Sequence, residues 1–427
     1  MSHKKSIIAI LVFIACICIF VCVYNDYQRP KHEGHKTVLC IPVYGQSLAL
    51  GEEAIRVTDF DSLRINYNGR IVTEDFDYKF GFYDDRRILQ EFKELINRNK
   101  RSFELSIYGM AESLANQLGK DTLLCIFPDG RGMTGIEALT KGNDPYEKLI
   151  SEIKIANHNA QKLGWDFNVP AICWMQGETD IIDYTNCNYK SLLKQFCTDI
   201  NRDVKSITNQ SEDIRIICYQ SNVVSRALQF NPNNYNCLET IPPQSIVDLI
   251  NEDSLFWASG PTYPYSFVNE ALHIDGIGQK RIGNMFALSA LRIIRGDKKN
   301  YGLLPLYVKA KDNTVIIHFN VPYPPLIFDT ICVNRISNYG FNVINQKGNN
   351  ILSNVSIDGN DVLLHCTESP IDCKARYAIN GESMKSGYVH GPRGNLRDSQ
   401  GNNCQAKILG KAYPLHNWCY QFDIQIK

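Results

Sequence analysis

The sequence predicts an α/β fold, a doubly wound parallel sheet, with a smaller C-terminal β-sandwich domain. Three observations lead to this. Continuous apolar runs alternate with helical patterns between residues 36 and 298, as in a parallel sheet covered on both faces. Beyond residue 300 the runs become short and alternating, which is typical of a sandwich. A chain of 427 residues is also too long for one ordinary core.

The predicted strands of the first domain are apolar runs of four to eight residues, too short for buried helices. They are Thr37–Val43, Leu123–Phe127, Pro170–Met175 and Ile214–Gln220. The intervening helical patterns are Tyr108–Leu118, Pro145–Leu163, Tyr189–Ile207 and Gly276–Arg295. Pro145 follows Asp144 and suits the first turn of a helix, where a missing N–H costs nothing.

The C-terminal third contains runs such as Thr314–Phe319 and Asp361–His365, separated by Asn/Gly turns. The polar stretch Gly296–Asn300 precedes it. We therefore expect a leader segment at residues 1–35, an α/β domain at 36–298 and a β-rich accessory domain at 299–427.

Charge and hydropathy exclude one class of partner and indicate a location. Lys+Arg and Asp+Glu both number 45, without the basic excess of a nucleic-acid binder. Lys4 and Lys5 precede an apolar run over residues 7–24, long enough to span a bilayer. This pattern predicts an exported protein with a signal peptide or a membrane anchor, whose only membrane contact is that segment.

The 15 cysteines show no zinc-like pairing, and the sequence predicts neither a metal site nor a cofactor. Export permits disulfides. The candidates in the last third are Cys366, Cys373, Cys404 and Cys419, in a pairing that the sequence leaves open.

Four polar segments follow the predicted strands or the last connection, where open α/β sheets place their sites. They are Gly45–Ser47, Asp129–Gly135, Trp174–Asp180 and Glu270–Gly278. The glycines of the second segment let backbone N–H groups approach a ligand, although a plain turn has the same composition.

Ser47 and His273 are the candidate nucleophile and base. A serine at a strand-to-helix turn meets the positive end of the helix dipole, although it can also be a simple N-cap. Only His158 and His273 lie in the α/β domain, and His158 falls within an ordinary helical pattern. Glu270, three residues before His273, can accept its Nδ1–H and present Nε2 to a serine.

Together the four segments resemble the SGNH hydrolase superfamily, in its sialate O-acetylesterase and acetylxylan-esterase-like branch. The order of the G-Q-S, glycine-rich, W-x-Q-G-E-x-D and acid-x-x-His blocks is similar over residues 36–298. The string Trp174–Asp180 is the most specific part. The resemblance implies a flavodoxin-like sheet.

Carried over by position, the resemblance implies Ser47 as nucleophile, His273 as base and Glu270 as its orienting acid. It implies an oxyanion hole built from the N–H groups of Ser47 and Gly132 and the side chain of Gln176.

This chain departs from the branch at three positions. Leu48 replaces an asparagine, Met133 replaces a glycine, and Glu270 replaces an aspartate.

The expected function is hydrolysis of O-acetyl esters on carbohydrates through an acyl-enzyme. The alternatives are a short-chain lipid esterase or thioesterase with the same triad, and a non-catalytic carbohydrate-binding surface protein. Residues 51–101 are rich in acidic and aromatic side chains, which suit a sugar-facing loop and a surface insertion equally well. The substrate-binding residues are not identifiable from the sequence.

Overall fold

The computed structural model describes residues 36–67, 70–72, 103–183, 188–298 and 300–427. The predicted signal peptide or anchor lies outside these residues, as does the 73–102 part of the unassigned segment. Within the described ranges, no helix combines the length and apolarity needed to cross a bilayer.

The strands of the first domain are short and, apart from Asp166–Asn168, mostly buried. In chain order they are β1 (Thr37–Cys40), β2 (Val43–Gly45), β3 (Ile71–Val72), β4 (Thr122–Cys125), β5 (Pro128–Gly130), β6 (Asp166–Asn168), β7 (Ala171–Met175), β8 (Arg215–Gln220) and β9 (Phe256–Pro261).

Within the described ranges, the α-helices all belong to this first domain. They are α1 (Phe60–Tyr67), α2 (Ser106–Gln117), α3 (Asp144–Lys162), α4 (Glu178–Asp183), α5 (Tyr189–Thr208), α6 (Ile241–Glu252) and α7 (Gly276–Ile294).

The first domain is a parallel sheet in which three long strands are each interrupted. The ladder β3-β4-β1-β6 continues into β5-β2-β7-β8-β9, because β1/β2, β4/β5 and β6/β7 are successive parts of the same three strands. Hydrogen bonds bridge the interruptions, for example from Val43 N to Phe127 O at 2.9 Å. The pairings are parallel throughout. The predicted doubly wound sheet is confirmed.

Alternation along the strands explains the two layers of helices. Val38 and Cys40 face a core with α3 and α5, whereas Leu39 and Ile41 face the opposite core with α2 and α7. Because successive side chains of a strand point to opposite faces, an uninterrupted apolar run is what a sheet covered on both sides requires.

Several elements of the domain have no counterpart in the sequence expectations, and among them α6 is the longest helix and β9 the longest strand. Helix α6 begins with Pro242 and Pro243 in its first turn, where their missing N–H groups are tolerated. Strand β9 ends with Gly260 and Pro261, which are turn residues by composition. Because proline and glycine at these ends are typical of turns, the sequence pattern does not indicate the helix and the strand.

The C-terminal domain is built from antiparallel strands, as predicted. They are β10 (Leu304–Lys311), β11 (Thr314–Asn320), β12 (Ile327–Phe328), β13 (Phe341–Ile344), β14 (Leu352–Asp358), β15 (Asp361–Cys366), β16 (Lys374–Tyr377), β17 (Leu396–Arg397), β18 (Gln405–Ile408), β19 (Lys411–Pro414) and β20 (Phe422–Gln425). Sheets β10-β11-β15-β14 and β13-β16-β20 share one buried core.

The cysteines proposed for disulfides carry free thiols instead. Cys366, Cys373 and Cys419 pack as small apolar groups in the sandwich core, while Cys404 contacts a separate cluster around Met285.

The two domains meet through buried polar contacts. Tyr420, just before β20, accepts a hydrogen bond from Gly260 N at 2.6 Å and donates to Cys218 O at 3.1 Å. The Gln220 amide donates to Gln421 O at 2.9 Å. The carboxyl ends of β8 and β9 are therefore tied to the sandwich.

Candidate active site

Ser47 lies in the turn that directly follows β2, and its side chain is turned inward, leaving the residue only 5% exposed. The amide of Gln279, in the first turn of α7, donates to Leu48 O at 2.9 Å. This hydrogen bond joins the serine turn to the helix that follows His273, and so sets the separation of the two candidate residues.

His273 lies in a closed loop before α7. Phe267 and Ile274 form an antiparallel bridge at the base of the loop, and Val268 N donates to His273 O at 2.8 Å. Asp275 caps α7 by accepting from Gly278 N at 2.8 Å. The imidazole is thereby supported at both ends of its loop.

The structure brings Ser47 and His273 together across more than 200 residues of sequence. His273 Nε2 lies 2.9 Å from Ser47 Oγ. This distance allows the imidazole to accept the hydroxyl proton, which is the geometric condition for an activated serine.

Gly132 lies directly against the serine. A Cβ added at Gly132 would stand 3.7 Å from Ser47 Cβ. Among the described residues, neither the Ser47 N–H nor the Gly132 N–H donates a hydrogen bond. Both N–H groups are therefore available to an oxygen that accumulates charge beside Ser47.

The Gln176 side chain differs from the oxyanion donor that the resemblance implied. Its amide nitrogen already donates to Thr134 O at 3.2 Å and to Asp180 Oδ2, and its carbonyl accepts from Tyr189 Oη at 2.9 Å. With both amide hydrogens used inside the protein, Gln176 braces the loop after β5 against α4. It does not present a donor to a ligand.

Glu270 also differs from its expected role. Asn269 and Glu270 both adopt left-handed backbone conformations, with φ of 54°. Their conformation directs the Glu270 carboxylate away from His273, to His390 Nδ1 at 2.6 Å and Lys385 Nζ at 3.9 Å. Within the described residues, no hydrogen bond joins Glu270 to His273.

A residue that the sequence interpretation missed takes that place. Glu53 Oε2 lies 3.0 Å from His273 Nδ1. It follows Ser47 by six residues but is remote in sequence from His273, so no acid-x-x-His spacing points to it. Its only sequence signal is that it is a carboxylate in the turn that carries the nucleophile.

Glu178 is the buried carboxylate of the W-x-Q-G-E string. Burial raises its pKa, and the hydrogen bond from the Tyr219 hydroxyl lowers it in part. Among the described residues, its Oε2 has no hydrogen-bond partner. Glu178 is close enough to His273 for the two side chains to interact electrostatically.

No three His, Cys, Asp or Glu side chains in the described part of the chain form a group that could hold a metal ion.

Comparison with protein families gives one match. Residues 107–292 match the family of carbohydrate esterases described as sialic acid-specific acetylesterases. The matched segment contains Gly132, Gln176 and His273, whereas Ser47 precedes it. No curated protein sequence matches the chain significantly.

The fold is similar to that of a solved structure at low sequence identity. A carbohydrate acetylesterase from Xanthomonas citri is 14% identical, with a TM-score of 0.57, over 90% of this chain and 80% of that one. An Arabidopsis thaliana protein is 15% identical, with a TM-score of 0.43, over 60% of this chain and 98% of that one. NanS is 14% identical, with a TM-score of 0.44, over 62% and 100%.

Proposed function

We propose that the chain is a member of the sialic acid-specific acetylesterase family of carbohydrate esterases, whose model matches residues 107–292, and that Ser47 and His273 carry out the hydrolysis of O-acetyl esters. The observation that carries this assignment is the 2.9 Å contact between Ser47 Oγ and His273 Nε2. The roles of nucleophile and general base follow from it.

In the first half of the reaction, Ser47 Oγ attacks the acetyl carbonyl carbon while its proton passes to His273 Nε2. A bond forms between Oγ and carbon, and the carbonyl oxygen becomes an oxyanion facing the N–H groups of Ser47 and Gly132. The bond from that carbon to the sugar oxygen then breaks, and His273 returns the proton to the departing oxygen.

In the second half, water attacks the acetyl-serine. His273 takes a proton from the water and later donates it to Ser47 Oγ, so acetate leaves and the serine is restored. Two backbone N–H groups stabilise the charge in both halves. Each such donor contributes about 10²–10³-fold in rate where it has been removed in a serine enzyme.

The family match favours the carbohydrate esterase over the two alternatives. A lipid esterase would use the same Ser47–His273 contact, but the matching family acts on carbohydrate esters by its description. A non-catalytic binding protein has no need for an imidazole within hydrogen-bond distance of a serine that is 5% exposed.

The direct test is a pair of substitutions with matched controls. We expect Ser47→Ala and His273→Ala each to lower kcat on p-nitrophenyl acetate by at least about 10⁴-fold, because the two residues act as one unit. Ser211→Ala and His158→Ala replace exposed residues of the same types and should leave the rate unchanged. Near-normal turnover by folded Ser47→Ala protein would contradict the assignment of Ser47 as the nucleophile.

The natural substrate is a small acyl ester, most simply acetyl, on a saccharide. The test is a series of p-nitrophenyl esters from acetate to octanoate, run beside acetylated sialic acid and acetylated xylan. We expect the rate to fall with acyl length and acetate to be released from a glycan. A rate rising to octanoate, without acetate from either glycan, would favour a lipid esterase.

An exported location, reached through the apolar segment 7–24, is also part of this proposal, since glycan esters are met outside the cytoplasm. Fusion of residues 1–35 to a reporter that is active only after export would report it. A reporter that stays inactive would contradict it.

A further inference from the structure

We propose that Glu53 is the positioning residue of His273, in place of the carboxylate three residues before the histidine. The inference rests on the proposed function, because it assumes that His273 is the base for Ser47. In this arrangement, the turn that carries the nucleophile also orients the His273 imidazole.

The two nitrogens of His273 face two residues of the same short segment. Nε2 is 2.9 Å from Ser47 Oγ, and Nδ1 is 3.0 Å from Glu53 Oε2. A carboxylate at Nδ1 accepts its N–H, so the lone pair lies on Nε2, where the serine proton must go. The same carboxylate stabilises the imidazolium that forms during attack.

The other nearby carboxylates are engaged elsewhere. Glu270 contacts His390 and Lys385, and its backbone carbonyl accepts from Ser386 N at 2.9 Å. The Glu178 carboxylate is bound by Tyr219. In the described part of the chain, neither carboxylate makes a hydrogen bond to His273.

The segment that carries Glu53 is fixed from one side by Glu104. The buried Glu104 carboxylate accepts from Val57 N and Thr58 N, each at 2.8 Å, and from the Thr58 hydroxyl at 2.6 Å. Glu104 N donates to Ala54 O at 2.9 Å. These bonds hold the chain immediately after Glu53.

Two glycines make this arrangement possible. Gly51 has a φ of +67°, and a Cβ there would lie 2.3 Å from Glu104 O. A Cβ at Gly276 would lie 2.0 Å from Ile55 O. The segment is thus pressed against both Glu104 and the start of α7. Glu53 itself adopts a left-handed conformation, with φ of 63°, a conformation that persists in non-glycine residues where the surroundings enforce it.

Glu270 has a different role in this arrangement. Through His390 and Lys385 it joins the loop before α7 to the C-terminal domain. Its removal should therefore loosen a contact between domains without altering the hydrogen bond to His273 Nδ1.

The experiment compares Glu53→Gln with the matched change Glu270→Gln, in the full chain and with Ser47→Ala as the inactive reference. Glu53→Gln should lower kcat on p-nitrophenyl acetate by about 10²-fold with KM within about twofold. A buried triad carboxylate is worth about 10⁴-fold. The smaller effect follows because 56% of the Glu53 side chain is exposed, so water replaces it in part. Glu270→Gln should lower kcat by less than about fivefold.

Rescue separates an orienting role from a structural one. Glu53→Asp should retain an intermediate kcat, because the carboxylate is kept but shortened. Glu53→Ala should recover at least about tenfold in kcat when formate is added, since the vacated site opens to solvent. Glu270→Ala should show no such recovery. Loss of fold would not respond to formate.

The outcomes distinguish the two proposals. If Ser47→Ala is inactive but Glu53→Gln retains a kcat within about twofold, Glu53 is not the positioning residue and the proposed function stands. A larger loss from Glu270→Gln than from Glu53→Gln would likewise exclude Glu53 as the positioning residue. If Ser47→Ala remains active, the proposed function itself is wrong.

Discussion

The side-chain amide of Gln176 has all its hydrogen bonds within the fold, and this determines what its replacement should do. Gln176→Met keeps the volume but leaves Thr134 O and the Asp180 carboxylate without this donor. We expect the free energy of unfolding to fall by about 3 kcal/mol, the range for buried polar groups that lose a partner. Urea unfolding measures it.

Gln195→Met is the matched control for that prediction. The exposed Gln195 donates to Asp199, four residues on, at 3.1 Å, as Gln176 does to Asp180. Its replacement should change stability by less than about 0.5 kcal/mol. If Gln176→Met instead keeps its stability and loses about 10²-fold in kcat, Gln176 is an oxyanion donor after all.

At this scale, the sequence indicates the proposed nucleophile and base better than their partners. Ser47 and His273 are recognisable because each lies in a short local pattern. Glu53 is not, because its partner is brought near by the packing of α7 against the serine turn. Glu270 does not contact His273 as the sequence suggested, because Asn269 and Glu270 have a left-handed backbone. An acid-x-x-His spacing does not show such a conformation.

The segment between β2 and α1 depends on one buried carboxylate, Glu104, for its shape. Burial raises the pKa of Glu104, and hydrogen bonds from Thr58 and Val57 lower it in part. The folded protein therefore holds the Glu104 proton more tightly than the unfolded chain does. The stability that this carboxyl contributes is greatest below its unfolded pKa and decreases as the pH rises.

Glu104→Gln should therefore be less stable than the wild type, by an amount that shrinks as the pH rises. The amide NH₂ cannot accept from the N–H groups of Val57 and Thr58, but it does not titrate. Denaturant unfolding of both proteins at about pH 4 and about pH 7 measures the difference between their free energies of unfolding at each pH. If this difference in free energy instead grows as the pH rises, the folded state prefers the charged carboxylate.

Helices and strands were predictable from the sequence where the pattern of apolar residues is long and uninterrupted. The helices α3 and α5 and the strands β7 and β8 agree with their sequence patterns to within one residue at each end. The first strand is divided into β1 and β2 because Pro42 lacks an N–H to donate to the ladder. The surrounding run stays apolar, so its hydropathy alone does not show this division.

The two domains depend on each other for buried hydrogen bonds, and Tyr420 is the most central of these contacts. Tyr420→Phe removes the hydroxyl that serves Gly260 N and Cys218 O. We expect a loss of about 1–3 kcal/mol in the free energy of unfolding. Tyr413→Phe is the control, because the Tyr413 hydroxyl has no hydrogen bond among the described residues. Equal stability of both variants would contradict a tight junction.

The contact between Glu270 and His390 has a consequence for the whole molecule. It places a loop of the C-terminal domain beside the loop that carries His273, so a change near residue 390 would alter the surroundings of the proposed base. That region lies beyond the segment 107–292 that matches the family. Substitutions near residue 390 would therefore act on the Ser47–His273 pair through the contact between the domains, from outside the matched segment.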